Sequence, residues 1–433
     1  MNTVTVACTR RKPDGDELVL VPGQNCVTGI KEFTKYYPSP TSLESDLLRL
    51  ASGVYCADLA TKRGLREEFQ RDIELHVPVA NFQAFERARL DIEIALTIVS
   101  GDNWTLSFHR SEEAPEGPAA WPTNPGEVLL FSGGLDSLAG AYERLTTRDT
   151  PLALVSHITH NNVVKSSQET LFGWLSETFG QRVTREQFFV SGRNVGDLPF
   201  PQDSDREETQ RTRSFLFLTL GALVARRRGI SRVLMIAENG QMAIHLPLTA
   251  ARVGAFSTKT AHPSFLAEME RILSALLEFP LEIHNPFLYM TKAEVVKRLV
   301  EEAPGVIEAS GGCWKAFRVG SGFRHCGECI PCLIRRIALE HGGLELPEYK
   351  RDLLREDISS LDPDDLGKRN LAELLDFVMH FHRDDLRASA LDDFPELLAG
   401  SFDAGKATNM YTRFAKEAVT VLSRYPGVRG LLS

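Results

Sequence analysis

The sequence contains few of the features that would direct a chain into or across a membrane. Its apolar runs are far shorter than the roughly 20 residues that a membrane-spanning helix requires. The N-terminal stretch, MNTVTVACTRRKPDGDE, lacks the apolar core of a signal peptide. A cytoplasmic protein without membrane contact is therefore expected.

An excess of positive charge is also absent. The chain has 49 Lys and Arg against 58 Asp and Glu, a formal net charge of −9. This balance argues against broad non-specific nucleic-acid binding. The short basic clusters at 226–228 and 335–336 are typical of solvated helix faces or helix ends. For Arg335 and Arg336, an orientation toward the phosphate site described below is the alternative. The length of 433 residues and the apolar content of 43% are those of a globular protein with two or three domains.

A disulfide framework is not expected either. The chain has seven cysteines, an odd number, in a compartment that is expected to be reducing. Cys8, Cys26 and Cys56 are scattered and are interpreted as small buried side chains.

The remaining cysteines form a cluster with the spacing C-x12-C-x2-C-x2-C. Thiolates at such spacing suit tetrahedral zinc, and four protein ligands indicate a structural site because no position stays open. An iron–sulfur cluster uses the same ligands and remains the alternative. His325 lies next to the cluster and could replace one ligand. The predicted ligands are Cys313, Cys326, Cys329 and Cys332.

A glycine-rich turn follows the short apolar run at 128–131. It has the sequence S-G-G-L-D-S from Ser132 to Ser137, and apolar residues then recur at helical spacing. Glycines allow a sharp turn, and the N–H groups and dipole of a helix N-terminus favour a phosphate there. The turn lacks the lysine of G-x-x-x-x-G-K-[ST], so it is not a Walker A loop.

Strands and helices alternate around this turn, which predicts a doubly wound parallel α/β sheet with ligands at the carboxyl ends of its strands. The predicted strands are 128–131, 152–157, 187–190, 233–237 and 281–284. The predicted helices are 137–146, 167–179, 209–228, 264–278 and 291–302.

The rest of the chain is predicted to form two additions. Residues 1–112 are expected to form a mixed α/β, strand-rich accessory domain, with a helix at 41–60 and strands at 3–7, 17–21, 74–79, 90–99 and 104–109. Its role, structural or in interaction and substrate presentation, is left open. The proline-rich segment 113–126 is the predicted linker. Residues 346–433 are predicted to be a helical C-terminal extension with helices at 370–381 and 409–422.

The S-G-G-L-D-S turn resembles the pyrophosphate-binding loop of the PP-loop ATPases. The resemblance implies that Ser132, Gly133, Gly134, Leu135 and Ser137 bind the pyrophosphate end of ATP, and that Asp136 organises the loop or Mg²⁺. It further implies that the region from His157 to Lys165 faces adenine and ribose. Polar residues at other strand ends complete the predicted site. The predicted catalytic residues are Asp136, Ser137, Lys165 and Arg213, and the other predicted cofactor-binding residues are His157, Asn239 and Gly240.

Together with the cysteine cluster, the turn resembles QueC, the 7-cyano-7-deazaguanine synthases, over about 127–340. The corresponding PP-loop ATPase domain is predicted at 127–345. Arg213-Ser-Phe-Leu, His262-Pro-Ser-Phe265, Asn285-Pro-Phe and Lys292-Ala-Glu agree with this family. The resemblance implies that ATP adenylates the carboxylate of 7-carboxy-7-deazaguanine, that pyrophosphate leaves, and that ammonia attacks to give an amide and later a nitrile. It also implies a structural zinc ion.

The two additions resemble those of QueC-like proteins from bacterial anti-phage operons, of which the QatC type of the Qat system is nearest. That resemblance implies an acceptor amine on a partner protein instead of ammonia. Two alternatives stay open at this point. One is a tRNA-modifying PP-loop enzyme, and the other is a non-catalytic scaffold that retains ATP binding for a defence complex.

Overall fold

The computed structural model describes residues 2–7, 17–64, 69–111, 126–230, 233–248, 259–315, 319, 322–345, 349–387 and 389–432. The strands are β1 (Asn2–Val6), β2 (Leu18–Leu20), β3 (Cys26–Thr28), β4 (Asp72–Val79), β5 (Asn103–Arg110), β6 (Glu127–Leu130), β7 (Leu152–Ile158), β8 (Val183–Gly192), β9 (Val233–Met235) and β10 (Glu282–His284). The helices are α1 (Ile30–Tyr36), α2 (Ser42–Ala60), α3 (Phe82–Ser100), α4 (Leu135–Thr147), α5 (Asn162–Phe179), α6 (Arg213–Arg227), α7 (Gly240–Ile244), α8 (Pro263–Leu277), α9 (Lys292–Glu302), α10 (Pro304–Ile307), α11 (Ile330–His341), α12 (Leu366–His382), α13 (Asp384–Arg387), α14 (Ala390–Asp393), α15 (Ala404–Leu422) and α16 (Pro426–Arg429).

The central sheet has six strands in the order β10-β9-β6-β7-β8-β3. Its first five strands are parallel, which confirms the predicted doubly wound sheet and the predicted alternation of strands and helices. The chain runs outward from β6 to β8 and then returns to β9 on the other side of β6. This reversal opens a crevice at the carboxyl ends of β6 and β9, where parallel sheets bind ligands.

Both faces of the central sheet are covered. Val128 and Leu130 of β6 face a core formed with α6 and α8. Leu129 and Phe131 face the opposite core, formed with α4, α5 and α9. Burial on both sides explains why β6 is continuously apolar rather than alternating.

The N-terminal part forms a second, four-stranded parallel sheet in the order β2-β1-β4-β5. One face of that sheet packs on α2 and α3, and these helices in turn contact α6 and α8 of the central sheet. β3, which precedes α2, pairs antiparallel with β8 at the edge of the central sheet. The N-terminal part therefore shares one continuous hydrophobic core with the central sheet. Of the predicted linker, 113–126, only Gly126 lies within the described residues.

The prediction of a strand at 90–99 is wrong, because this stretch belongs to helix α3. Its buried side chains, which include Ile92, Leu96 and Val99, recur every three to four residues. The alternating apolar pattern arises because Leu90 and Ile94 are exposed on the outer side of the helix. β5 consequently pairs in parallel with β4 rather than with this stretch.

The C-terminal helices form a second core. α12 and α15 pack against α11 around Leu333, Phe381 and Tyr411, which confirms the helices predicted at 370–381 and 409–422. Among the described residues, no helix is both long and apolar enough to span a bilayer.

Candidate active site

The turn between β6 and α4 is held open toward the crevice. Gly133 has a φ of 80°, and a Cβ at this position would lie 2.9 Å from Cγ of Gln168. The carbonyl oxygen of Gly133 accepts a hydrogen bond of 2.8 Å from the Gly311 N–H, and the Gly134 N–H donates to Oγ of Ser132 at 3.2 Å. The first-turn N–H groups of α4 have no intrahelical acceptor. The turn therefore presents N–H donors and two serine hydroxyls to the crevice.

Asp136 lies at the start of α4 and is held from two other elements. Nζ of Lys292, the first residue of α9, lies 2.7 Å from Oδ1 of Asp136. The Asn239 side-chain amide, at the end of the β9 segment, donates to Oδ2 at 2.7 Å. Burial alone would raise the pKa of Asp136, but Lys292 and the hydrogen bonds hold it below its ordinary value. Asp136 is therefore a carboxylate at neutral pH.

Glu238 is in contact with Asp136, and its pKa is shifted in the opposite direction. Burial and the Asp136 charge raise the pKa of Glu238 well above its ordinary value. Within this carboxyl pair, Glu238 therefore binds a proton more readily than Asp136 does. Carboxylate oxygens are ligands that divalent cations prefer, so this pair could hold one.

Three arginines line the crevice without a carboxylate partner among the residues that the structure describes. Arg213 begins α6, Arg324 lies in the loop before α11, and Arg335 belongs to α11. Nη1 and Nη2 of Arg324 donate to the hydroxyls of Ser167 and Ser166, at 2.9 and 3.2 Å.

Arg335 is the most enclosed of the three. Its two terminal nitrogens donate to Oγ of Ser310 at 2.7 Å and to the Ile307 carbonyl oxygen at 2.8 Å, while its Nε has no partner among the described residues. Burial lowers the pKa of Arg335 from its ordinary value, yet a guanidinium stays charged at neutral pH. Arg336, which follows it, points elsewhere and pairs with Glu340 and Asp352.

These groups enclose one cleft of about 340 Å³. With Lys292, the arginines give its walls four cationic side chains beside the carboxyl pair of Asp136 and Glu238. Charge-assisted hydrogen bonds from such groups suit a polyanion such as a triphosphate. The lining includes every residue of the turn, Ser132, Gly133, Gly134, Leu135, Asp136 and Ser137, together with Arg213, Glu238, Lys292, Arg324 and Arg335.

Four predicted site residues do not line this cleft. His157 is buried beneath it, with Nε2 3.1 Å from the Val190 carbonyl oxygen, and burial followed by the charge of Arg213 lowers its pKa to about 3. Lys165 is half-exposed on α5, 3.9 Å from a Glu169 carboxylate oxygen. The Gly240 N–H donates to the Met290 carbonyl oxygen. Asn239 acts on the cleft through Asp136 and Glu238, to which its side-chain amide donates at 2.7 and 3.3 Å.

Three residues of the cleft were not identified as site residues from the sequence. The sequence gives Lys292 only as part of the motif Lys292-Ala-Glu and Glu238 only as one of the polar residues at strand ends, and no sequence feature points to Arg324. Glu238 and Lys292 both lie near the carboxyl ends of the parallel strands, where ligands bind. This position is the feature by which the sequence could have identified them as site residues. Arg324 lies in an irregular loop, where no helical or strand periodicity indicates which way a side chain points.

The four cysteines converge beside the cleft, and Cys313 lines it. Their sulfur atoms all lie within 4.8 Å of one another, with Cys313–Cys329 at 4.0 Å and Cys326–Cys332 at 3.9 Å. Four thiolates about 2.3 Å from one tetrahedral ion would be about 3.8 Å apart. The cluster could therefore hold a single metal ion. Nε2 of His325 lies 3.1 Å from the Ser310 carbonyl oxygen, so this histidine sits beside the cluster as a neighbour.

Comparison with known proteins agrees with this geometry. The family model described as "Queuosine biosynthesis protein QueC" matches residues 126–343, half of the chain. The chain belongs to the QueC family. This family relationship and the parallel sheet together confirm the PP-loop type of α/β fold.

Individual relatives are distant and shorter. The chain is 24% identical to 7-cyano-7-deazaguanine synthase 1 of Mesorhizobium japonicum, over 52% of this chain and 93% of the relative. The corresponding synthases of Halorhodospira halophila and Syntrophotalea carbinolica are 25% and 23% identical, over 94% and 98% of their own lengths. The relatives are enzymes by name, and nearly their whole length corresponds to about half of this QueC-family chain.

Proposed function

We propose that this QueC-family protein uses ATP to activate the carboxylate of a 7-deazaguanine-type acid for attack by an amine. The observation that carries the proposal is the cleft itself. It combines an S-G-G-L-D-S turn with three arginines that have no carboxylate partner among the described residues. The names of the relatives support a 7-deazaguanine as the substrate class.

The chemistry requires stabilisation of the negative charge on the departing pyrophosphate. A carboxylate oxygen of the acid attacks the α-phosphorus of ATP, the bond to the bridging oxygen breaks, and pyrophosphate leaves with the electron pair. The N–H groups of the turn and the cleft arginines stabilise the charge that develops on pyrophosphate. The amine then attacks the acyl carbon, AMP leaves with the acyl oxygen, and the amine loses a proton. A protein amine supplied by a partner is the proposed acceptor, with ammonia as the other candidate, and anti-phage defence is the proposed setting.

Two metals belong to this proposal. Asp136 and Glu238 would hold Mg²⁺, which supplies charge neutralisation at the phosphates when bound. Cys313, Cys326, Cys329 and Cys332 would hold a structural Zn²⁺.

The proposal is tested by measuring pyrophosphate release from ATP and Mg²⁺ with 7-carboxy-7-deazaguanine, with and without ammonium, followed by mass spectrometry of the products. We expect release that depends on the acid. Asp136→Asn should reduce it on the order of a hundredfold, because the carboxylate that faces the cleft is lost. Asp91→Asn is the matched control, since Asp91 pairs with Arg271 at the surface, outside the cleft.

The products separate the remaining alternatives. An amide or a nitrile would identify ammonia as the acceptor, and accumulation of the acyl adenylate would indicate an acceptor on another molecule. ATP binding without any acid-dependent pyrophosphate release would contradict the proposal and favour a scaffold.

A further inference from the structure

The N-terminus of α9 contributes a side chain to the cleft. Its first residue, Lys292, provides the ammonium group that lies 2.7 Å from Asp136. Thr291 caps the helix, and its Oγ1 accepts from the Glu294 N–H at 3.2 Å while Glu294 accepts from the Thr291 N–H at 2.8 Å. Small changes at this cap would move Lys292 relative to Asp136.

Helix α15 of the C-terminal extension forms hydrogen bonds with this cap. Oε1 of Glu417 accepts a hydrogen bond of 2.7 Å from Oγ1 of Thr291, and both side chains are buried. The single hydroxyl hydrogen of Thr291 therefore points to Glu417, which leaves the oxygen lone pairs for the Glu294 N–H. Nε of Arg413, one turn earlier, donates to Oε1 of Glu294 at 2.7 Å.

A second contact runs through α7. Oε1 of Gln241 accepts from the Lys292 N–H at 2.8 Å, and the Gln241 carbonyl oxygen lies 3.4 Å from the Tyr411 hydroxyl of α15. Lys292 thus bonds to a residue of α7 that α15 contacts, and it directly follows Thr291, which Glu417 of α15 contacts.

This helix lies outside the part of the chain that defines the family. The family model ends at residue 343, whereas α15 spans Ala404–Leu422. The relatives align over 93–98% of their own lengths with about half of this chain. Their length leaves little room for an equivalent of the C-terminal extension.

We propose that α15 completes the ATP site of this protein, with Glu417 as a positioning residue that acts through Thr291 to hold Lys292 against Asp136. The inference rests on the proposed function, because the kinetic assay measures a reaction of ATP in which Lys292 and Asp136 are proposed to take part.

The test compares Glu417→Ala, Glu417→Gln and Lys416→Ala in the full chain, with acid-dependent pyrophosphate release as the assay. Glu417→Ala should raise KM for ATP or lower kcat by about tenfold, because the Thr291 hydroxyl loses its buried acceptor. Glu417→Gln should restore most of this loss, since its amide oxygen still accepts. Lys416→Ala, on the exposed side of the same helix, should leave both constants unchanged.

A double-mutant cycle with Lys292→Met separates positioning from general destabilisation. If Glu417 acts through Lys292, Glu417→Ala adds little to the defect of Lys292→Met. Defects that multiply, or normal kinetics of Glu417→Ala, would overturn the inference.

The ATP affinity of the same variants, measured by calorimetry without the acid, keeps this test independent of the proposed function. A wild-type chain that binds ATP but releases no pyrophosphate would refute the proposed reaction alone. A loss of ATP affinity of about tenfold in Glu417→Ala would still support positioning by α15 in that case. Unchanged affinity across the series would count against it.

Discussion

At the scale of single residues, the conformation of Gly133 gives the sharpest expectation. A φ of 80° is costly for any residue with a Cβ, by about 1–2 kcal/mol, and the added methyl would also press on Gln168. Gly133→Ala should therefore destabilise the protein by about 1–3 kcal/mol and weaken ATP binding. Chemical denaturation and calorimetry measure the two effects.

Gly173→Ala is the matched control for this substitution. Gly173 lies within α5, and a Cβ there would meet no atom within 4 Å. The control should gain up to about 1 kcal/mol from its higher helix propensity. Equal ATP affinities of the two variants would contradict the role assigned to the turn.

The ionisation of Glu417, again a single residue, should make the stability of the protein depend on pH. Burial raises its pKa to about 7, while Thr291 and Arg413 act in the opposite direction and Glu294 adds to the rise. An acid whose pKa is raised by folding binds its proton more tightly in the folded state. Its contribution to stability is therefore complete below the unfolded pKa, about 4.3, and is lost as the pH rises through about 7.

The variant Glu417→Gln should remove this contribution. We expect the melting temperature of the variant, relative to the wild type, to increase between about pH 5 and about pH 8, because only the wild type must ionise a buried carboxyl. Thermal unfolding at several pH values measures the difference. A constant difference across that interval would show that Glu417 does not titrate there.

At the scale of elements, the cysteine cluster joins the loop before α11 to the start of that helix. Cys329→Ser should lower both the metal content and the melting temperature, because a four-ligand site loses a thiolate. Cys56→Ser is the control: Cys56 is buried, but it contacts Cys26 rather than the cluster. Elemental analysis of the purified proteins gives the metal-to-protein ratio. An unchanged ratio in Cys329→Ser would reject the four-cysteine site.

Elements also mark the limits of what the sequence predicts. The central strands and helices follow from continuous apolar runs and helical periodicity, and these predictions are confirmed. Helix α3 was missed because Leu90 and Ile94 place apolar side chains on its solvent side and imitate strand alternation. The three-residue strand β3 carries too little pattern to reveal that it joins the central sheet.

Some residues of the candidate site can likewise be predicted from the sequence, and others cannot. The turn from Ser132 to Ser137 and the cysteine spacing are local in sequence, so their residues could be named in advance. The ion pair between Asp136 and Lys292 spans 156 positions and depends on the packing of α4 against α9. Only the fold shows such a pair. The fold likewise shows that His157 is buried behind the cleft rather than in it.

At the scale of the whole molecule, the C-terminal extension and the central sheet depend on each other. Ile330, Leu333, Ile334 and Ile337 of α11 are buried with α12 and α15. Exposure of each costs about 1.5–3 kcal/mol, so the four together approach the net stability of a typical domain, about 5–15 kcal/mol. Deletion of residues 346–433 should therefore give an unfolded or aggregated protein rather than a compact, folded one.

Size-exclusion chromatography and circular dichroism of the truncated chain test this expectation. Coexpression of 346–433 as a separate polypeptide should restore at least part of the soluble protein, because the missing surface is then supplied in trans. A truncated chain that is monomeric, folded and able to bind ATP would contradict the dependence described here.

The contact between α15 and the cap of α9 has a consequence for protein synthesis. The turn at Ser132 leaves the ribosome long before Glu417 has been made, and N-terminal parts of a chain usually fold first. A nascent chain would thus display the S-G-G-L-D-S turn while Lys292 still lacks its contacts with α15. On the proposed function, the ability to bind and use ATP would arise late in translation, and incomplete chains would not form acyl adenylates.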